Sequence, residues 1–270
     1  MFAEVNGVRL HYDEAGEGEP VVLLAGFGSN RRFWKGMQPL LTGCRCIMPD
    51  NRGVGETEYE GRVSIDDMAD DVYLLARSLG LDRVHVVGWS MGSHIAQAFA
   101  YRHPEAVVSL TVVSTYLRRP ARSAYFLGRL VQMAVDGRAT LDALYTAVNA
   151  FCYTEETFRQ AEESGTEVPV PRKPMDPNRL MDQLLAVDGF DPVRILPSIS
   201  VPTLVVQGTE DIMTDFSEGE AVANGIPGAR LFAVEGAGHI IPPQDYAGEL
   251  LRHIVGNGTL RGRVPPETSS

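Results

Sequence analysis

Cysteine is scarce, with three residues in 270 (Cys44, Cys46 and Cys152). That is too few for a disulfide framework. Cys44 and Cys46 alternate along a predicted strand, and no histidine or cysteine cluster lies beside them, so the usual metal-ligand spacings are missing. All three read as small buried residues, which fits a reducing cytoplasm. Positive charge is also short. Lys and Arg number 24 against 35 Asp and Glu, a net charge of −11. That balance argues against nucleic acid or an anionic membrane as partner. No apolar run reaches the length needed to span a bilayer. Met1 to Glu4 leads into a strand pattern rather than a secretory segment.

What the chain does have is the pentapeptide Gly88-Trp89-Ser90-Met91-Gly92, between the apolar run Val84-His85-Val86-Val87 and a helical stretch from Ser93 to Tyr101. A serine at a tight strand-to-helix corner is forced into a strained backbone conformation. Residues two before and two after it must lack a Cβ, because other backbone passes close. The hydroxyl then stands clear of the chain at a helix N-terminus, where free N–H groups favour developing negative charge. The pentapeptide alone is weak; its specificity comes from the strand before it, the helix after it and the partners that follow.

Short apolar runs alternate with amphipathic ones. Predicted strands are 3–5 and 8–12, joined by the turn signal Asn6-Gly7, then 21–25, 45–48, 84–88, 107–113, 203–207 and 230–234. Predicted helices are 32–41, 65–79, 93–102, 217–224 and 246–255. Strands this apolar, separated by helices, imply a mostly parallel eight-stranded sheet covered on both faces. Between about 116 and 196 the pattern is helical only, with segments at 123–135, 141–151, 155–163 and 178–186 and a Pro-rich loop at 165–177. The expected domains are therefore a core from 1–115 and 197–257, an inserted helical lid from 116–196 over the carboxyl ends of the strands, and a flexible tail from 258–270.

A serine nucleophile needs a base, and the base needs an acid to orient it. Of six histidines, His239 in Glu235-Gly236-Ala237-Gly238-His239 is the best base. It follows the last strand, and two glycines place it on a mobile loop able to swing towards a hydroxyl. His94, four residues after Ser90, is expected to be locked beside the sheet. Asp211, after strand 203–207, is the expected acid, with Glu210 and Asp215 as rivals. The oxyanion needs two backbone donors. Met91 supplies one, and the loop Ala25-Gly26-Phe27-Gly28 the other, with Phe27 preferred. Asp50-Asn51-Arg52-Gly53-Val54-Gly55 reads as a buried ion pair and tight turn rather than a ligand site. Arg118 and Arg119, where the insertion begins, could meet a substrate carboxylate but read first as surface charges.

These features together resemble the α/β-hydrolase fold superfamily, up to about residue 255, and within it the lid-bearing esterase, lactonase and C–C hydrolase branch. The resemblance rests on Leu23-Leu24-Ala25-Gly26-Phe27-Gly28 with Trp34, Asp50-Asn51-Arg52-Gly53-Val54-Gly55, Gly88-Trp89-Ser90-Met91-Gly92, Gly236-Ala237-Gly238-His239, and Val201-Pro202-Thr203-Leu204 leading to Gly208 and Asp211. It implies attack by Ser90 on a carbonyl, His239 as base and then acid, Asp211 holding the imidazolium, and Phe27 and Met91 donating to the oxyanion. Serine rather than aspartate at the elbow puts epoxide hydrolase and haloalkane dehalogenase chemistry out of reach. The chain departs from its relatives in carrying Ala25 where many have histidine and Ser93 where many have glycine.

The implied activity is hydrolysis of a carboxylic ester, lactone or thioester (EC 3.1.1) of a small to medium, largely apolar substrate. Expected substrate contacts are Gly26, Trp89, Tyr125, Phe126 and Ile240. C–C bond hydrolysis, perhydrolase or haloperoxidase-like side activity, a natural-product lactonase or cyclase, and a non-catalytic small-molecule receptor of the same fold are the competing readings. No metal and no organic cofactor is implied. The expected partner is a small-molecule substrate, with no nucleic acid and no membrane insertion; homo-oligomer formation is left open.

Overall fold

A computed structural model describes residues 1–61, 63–168 and 176–258. The chain opens with β1 (Phe2–Val5) and β2 (Val8–Ala15). Asn6 and Gly7 between them have left-handed φ of 47° and 73°, the combination that suits a two-residue hairpin. Then come β3 (Glu19–Leu24), β4 (Cys44–Pro49), α1 (Ile65–Ser78), β5 (Val84–Trp89), α2 (Met91–Arg102) and β6 (Val107–Val113). Four helices follow: α3 (Ala121–Val135), α4 (Leu141–Cys152), α5 (Glu155–Ser164) and α6 (Pro177–Asp188). The sheet resumes with β7 (Thr203–Gly208), α7 (Phe216–Gly225), β8 (Arg230–Val234) and α8 (Pro243–Asn257).

The eight strands form one sheet in the order β1-β2-β4-β3-β5-β6-β7-β8. The β1–β2 and β2–β4 pairs are antiparallel, and all the others are parallel. Successive strand residues face opposite ways. Val22 and Leu24 join the core beneath α1, α2 and α7, whereas Val21, Leu23 and Ala25 join the one beneath α8. Burial on both faces is why these strands read as continuous apolar runs. In register, Leu24 lies beside Gly88, Trp89 beside Val113, Val113 beside Val206 and Gly208 beside Val234. The loops after β3, β5, β6, β7 and β8 therefore leave from one rim.

The helices between β6 and β7 have their own apolar cluster around Leu127, Val131, Leu144 and Leu180, and Phe27, Met213 and Ile240 of the rim loops pack with it. Hydrogen bonds tie them to the same loops. Gln183 donates to the Arg52 carbonyl (2.6 Å) and accepts from the Gly28 N–H (2.9 Å). Tyr145 donates to the Gly28 carbonyl (3.2 Å) and Ser123 to the Met213 carbonyl (2.6 Å).

One predicted helix is corrected. Residues 32–41 form two short 3₁₀ turns, Arg31–Lys35 and Gln38–Leu40. Met37 N–H bonds the Trp34 carbonyl and Leu40 N–H the Met37 carbonyl. Gly36 favours a break, and Pro39 has no N–H to continue an α-helical ladder. The expected tail from 258 is described only at Gly258; the rest of it, and 169–175 of the expected Pro-rich loop, lie outside the described residues. The three cysteines are buried and unbonded.

Candidate active site

Ser90 stands at the β5–α2 corner with φ 55° and ψ −120°, a sparsely populated conformation for a residue with a side chain. Its neighbours explain how the corner closes. A Cβ on Gly88 would lie 2.1 Å from the Gly92 carbonyl oxygen, and one on Gly92 would lie 2.2 Å from that of Leu24. No side chain fits at either position. The second contact also presses the start of α2 against the end of β3, so the loop carrying Phe27 lies beside Met91. A Cβ on Gly26 would lie 3.0 Å from the Ser90 Cβ. Ser93, where many relatives have glycine, is fully buried, and its hydroxyl donates to Thr115 Oγ1 at 2.8 Å. The extra oxygen is thus satisfied.

His239 reaches this corner from the loop after β8. Its Nε2 is 3.0 Å from Ser90 Oγ and its Nδ1 is 2.9 Å from Asp211 Oδ2. The tautomer that fits both contacts carries its proton on Nδ1 and accepts the serine proton at Nε2. The loop expected to be mobile is anchored by hydrogen bonds in this conformation. The His239 carbonyl accepts from Trp89 Nε1 (2.9 Å) and Ser114 Oγ (2.7 Å), and Ile240 N–H donates to the Cys152 carbonyl (3.0 Å). The imidazole already lies at Ser90, so no loop movement is needed to bring the two together.

Asp211 is buried and fixed by its own loop. Its Oδ1 accepts from Met213 N–H (2.8 Å) and Thr214 N–H (2.9 Å), and Thr214 Oγ1 donates to its Oδ2 (2.8 Å). An aspartate bonding the backbone two and three residues on is a local turn device. Here it also aims the second oxygen at the imidazole. The rivals Glu210 and Asp215 are both exposed. His94 is buried with Nε2 on the Tyr116 carbonyl (2.9 Å), and burial pushes it down to about 4.

Two cavities adjoin the site. One of about 390 Å³ has Phe27, Phe33, Trp89, Tyr145, Val148 and Ile240 among its walls, with Arg32 and Asn149 as polar members. A smaller chamber of about 30 Å³ is bounded by Ser90 itself, together with Phe27, Met213 and Thr214. Among the expected substrate contacts, Trp89 and Ile240 thus line a cavity and Gly26 lies beside Ser90. Tyr125 does not belong with them. It sits on the outer face of α3, 74% exposed. Phe126 packs on Phe151 with ring centroids 4.2 Å apart, within the insertion, and lines neither cavity.

Asp50 is fully buried, as expected of an ion pair, but its partners lie elsewhere in the chain. Asp50 pairs with Arg31 (2.8 Å), and Arg52 pairs with Asp71 (2.7 Å). Sequence reasoning also missed Gln183, Thr214 and Ser114, which brace the rim loops; none stands in a motif. Arg118 is exposed as expected, whereas the Arg119 side chain is only 10% exposed. Among the described residues no group of three or more His, Cys, Asp or Glu could hold a metal ion, and no helix is long and apolar enough to cross a membrane.

Residues 19–246 match the family described as alpha/beta hydrolase fold. The chain belongs to that family. A Mycobacterium tuberculosis protein provisionally named non-heme bromoperoxidase BpoC is 30% identical over 244 residues, covering 86% of this chain and 91% of that protein. A 2-hydroxy-6-oxononadienedioate/2-hydroxy-6-oxononatrienedioate hydrolase of Pseudomonas putida is 29% identical over 258 residues, covering 86% and 85%. Among solved structures, a thermophilic esterase from Thermogutta terrifontis superposes with a TM-score of 0.78 at 26% identity, covering 95% of this chain and 97% of its own. The latter two are hydrolase enzymes of the same fold as this alpha/beta hydrolase.

Proposed function

We propose that this alpha/beta hydrolase cleaves a carboxylic ester, lactone or thioester of a small to medium, largely apolar substrate through an acyl-enzyme. The observation that carries the reading is the unbroken chain of contacts Ser90 Oγ–His239 Nε2 (3.0 Å) and His239 Nδ1–Asp211 Oδ2 (2.9 Å). Ser90 Oγ attacks the carbonyl carbon while its proton passes to His239 Nε2. The imidazolium stays opposite the Asp211 carboxylate. The oxyanion of the tetrahedral intermediate takes hydrogen bonds from the N–H groups of Phe27 and Met91, each worth about 10²–10³ in rate in comparable sites. Collapse breaks the bond to the leaving oxygen or sulfur, and His239 returns the proton to it. Water, deprotonated by His239, then attacks the acyl carbon, and a second collapse frees Ser90 and the acid. The apolar part of the substrate uses the cavity of about 390 Å³, which shares Phe27 with the Ser90 chamber. Residues 116–196 serve as the lid.

A C–C bond hydrolase on the same three residues is the second reading, favoured by the name of the Pseudomonas putida relative. Hydrolysis of p-nitrophenyl acetate and butyrate by the wild type and Ser90→Ala, followed by a panel of 2-hydroxy-6-oxo-dienoates, separates the two. Serine-dependent ester turnover supports the ester hydrolase, and turnover of the dienoates alone supports the second. Binding of these compounds without turnover, unchanged in Ser90→Ala, sinks both.

A further inference from the structure

Arg119 follows β6 by a few residues and projects into the base of the helical insertion. Its side chain is only 10% exposed, and Nη2 bonds Asp188 Oδ1 at the end of α6. The Nε–H and both N–H groups of Nη1 are buried with no hydrogen-bond partner among the described residues. A guanidinium cannot shed its charge, so donors left empty in the interior are costly unless something fills them. Arg119 lines the same chamber of about 30 Å³ as Ser90 and Thr214. The other walls are apolar side chains and hydroxyls, including Phe27, Leu127, Leu184 and Met213, with no carboxylate among them. The Ser123 hydroxyl on that wall is already committed to the Met213 carbonyl (2.6 Å). Asp188, the one acid paired with Arg119 among the described residues, is half exposed and outside the chamber.

The geometry points to Arg119 as the anchor for a carboxylate on the acyl side of the substrate, separated by a short spacer from the carbonyl that Ser90 attacks. This rests on the hydrolase reading above and narrows it to short-chain half-esters of dicarboxylic acids and their lactone or thioester equivalents. A volume of about 30 Å³ leaves room for little more than a carboxylate-sized group at that end. A guanidinium suits it because its planar donors match the two oxygens.

The test compares monomethyl succinate with methyl butyrate, equal in chain length and different in charge. The wild type is expected to favour the succinate in kcat/KM by at least about 30-fold, and Arg119→Met to bring that ratio down to about one. Asp188→Asn breaks the ion pair but keeps the guanidinium, and is expected to hold the ratio within about threefold of wild type. Equal rates for both esters, or Asp188→Asn matching Arg119→Met, would overturn the assignment and leave Arg119 as a strut between β6 and α6. Calorimetric titration of the wild type and Arg119→Met with succinate gives a readout without turnover. Binding lost in Arg119→Met supports the anchor even if neither ester is cleaved, in which case the hydrolase reading alone fails. Absent binding, or binding equal in the two proteins, counts against the anchor.

Discussion

Two buried histidine–aspartate pairs sit in this protein at nearly the same distance. His11 Nδ1 is 3.0 Å from Asp50 Oδ2, and His239 Nδ1 is 2.9 Å from Asp211 Oδ2. What surrounds the carboxylate separates them. Asp50 also holds the Arg31 guanidinium (2.8 Å), the Arg31 N–H (2.9 Å) and the Glu56 N–H (3.0 Å). Its charge is neutralised by a fixed cation, and the cluster joins the middle of β2, the end of β4 and the 3₁₀ turn that starts at Arg31. Among the described residues Asp211 holds no Lys or Arg. Its partners are two backbone N–H groups, the Thr214 hydroxyl, the Gln207 amide of β7 (3.3 Å) and the imidazole, so its charge is still available to a proton arriving on His239. The far nitrogens differ as well. His11 Nε2 is 4.0 Å from Glu56, a half-exposed carboxylate, whereas His239 Nε2 faces a serine hydroxyl at a strained corner. The same residue pair is a structural strut in one place and a proton relay in the proposed mechanism of the other, decided by what else each end touches.

Substitutions can break that contrast. Ser90→Ala and His239→Ala are each expected to lower kcat/KM for an activated ester by about 10⁴-fold or more. His11→Gln should change it less than about tenfold, and steady-state kinetics of the three variants is the check. Asp211→Asn is expected to cost about 10³–10⁴ in kcat, because an amide stabilises no imidazolium and favours the wrong tautomer, while the melting temperature moves little. Asp50→Asn should do the reverse. It removes the buried carboxylate from Arg31 and leaves it the half-exposed Asp13 (2.7 Å) and Glu56 (3.6 Å), which is expected to cost about 1–3 kcal/mol in urea unfolding, with kcat of the folded protein held within about tenfold.

Acid sharpens the contrast from another side, since His94 is a buried histidine with no carboxylate. Burial lowers it from its ordinary 6.5 to about 4 in the folded protein. Between those values the unfolded chain binds the proton and the folded one does not. Stability is therefore full above about pH 6.5 and is lost as pH falls towards 4. Urea midpoints at pH 7, 6 and 5 should fall in that order, with a shallower slope in His94→Gln. The smallest effect is expected at Ser114. Ser114→Ala removes one of the two donors that hold the His239 carbonyl, worth about 1 kcal/mol, and should lower kcat a few-fold without changing KM.

Much of this was legible in the chain because it is local. Gly88 and Gly92 flank Ser90 for a reason the coordinates make numerical, and apolar runs such as 84–88 mark strands buried on both faces. The order Ser90, Asp211, His239 placed three side chains at strand ends, and strand ends of a parallel sheet share a rim. What could not be read depends on contacts across the sequence. Nothing near Asp50 announces Arg31, nineteen positions away. Gln183 braces the loop of Phe27 from 155 positions on. Arg118 and Arg119 are neighbours of one type, and only the packing of α6 beside them buries the second. Tyr125 and Phe126 carry the same apolar signal, yet the helix turns one outwards and the other onto Phe151.

The central claim is that His239, poised by Asp211, makes the Ser90 hydroxyl a nucleophile. Incubation with a fluorophosphonate, followed by intact-mass and peptide analysis, tests it without knowledge of the natural substrate. One phosphonyl group on Ser90 is expected, formed at least about 10³-fold more slowly in His239→Ala and at near wild-type rate in His11→Gln. No adduct on Ser90, or an adduct formed as fast without His239, would contradict the account.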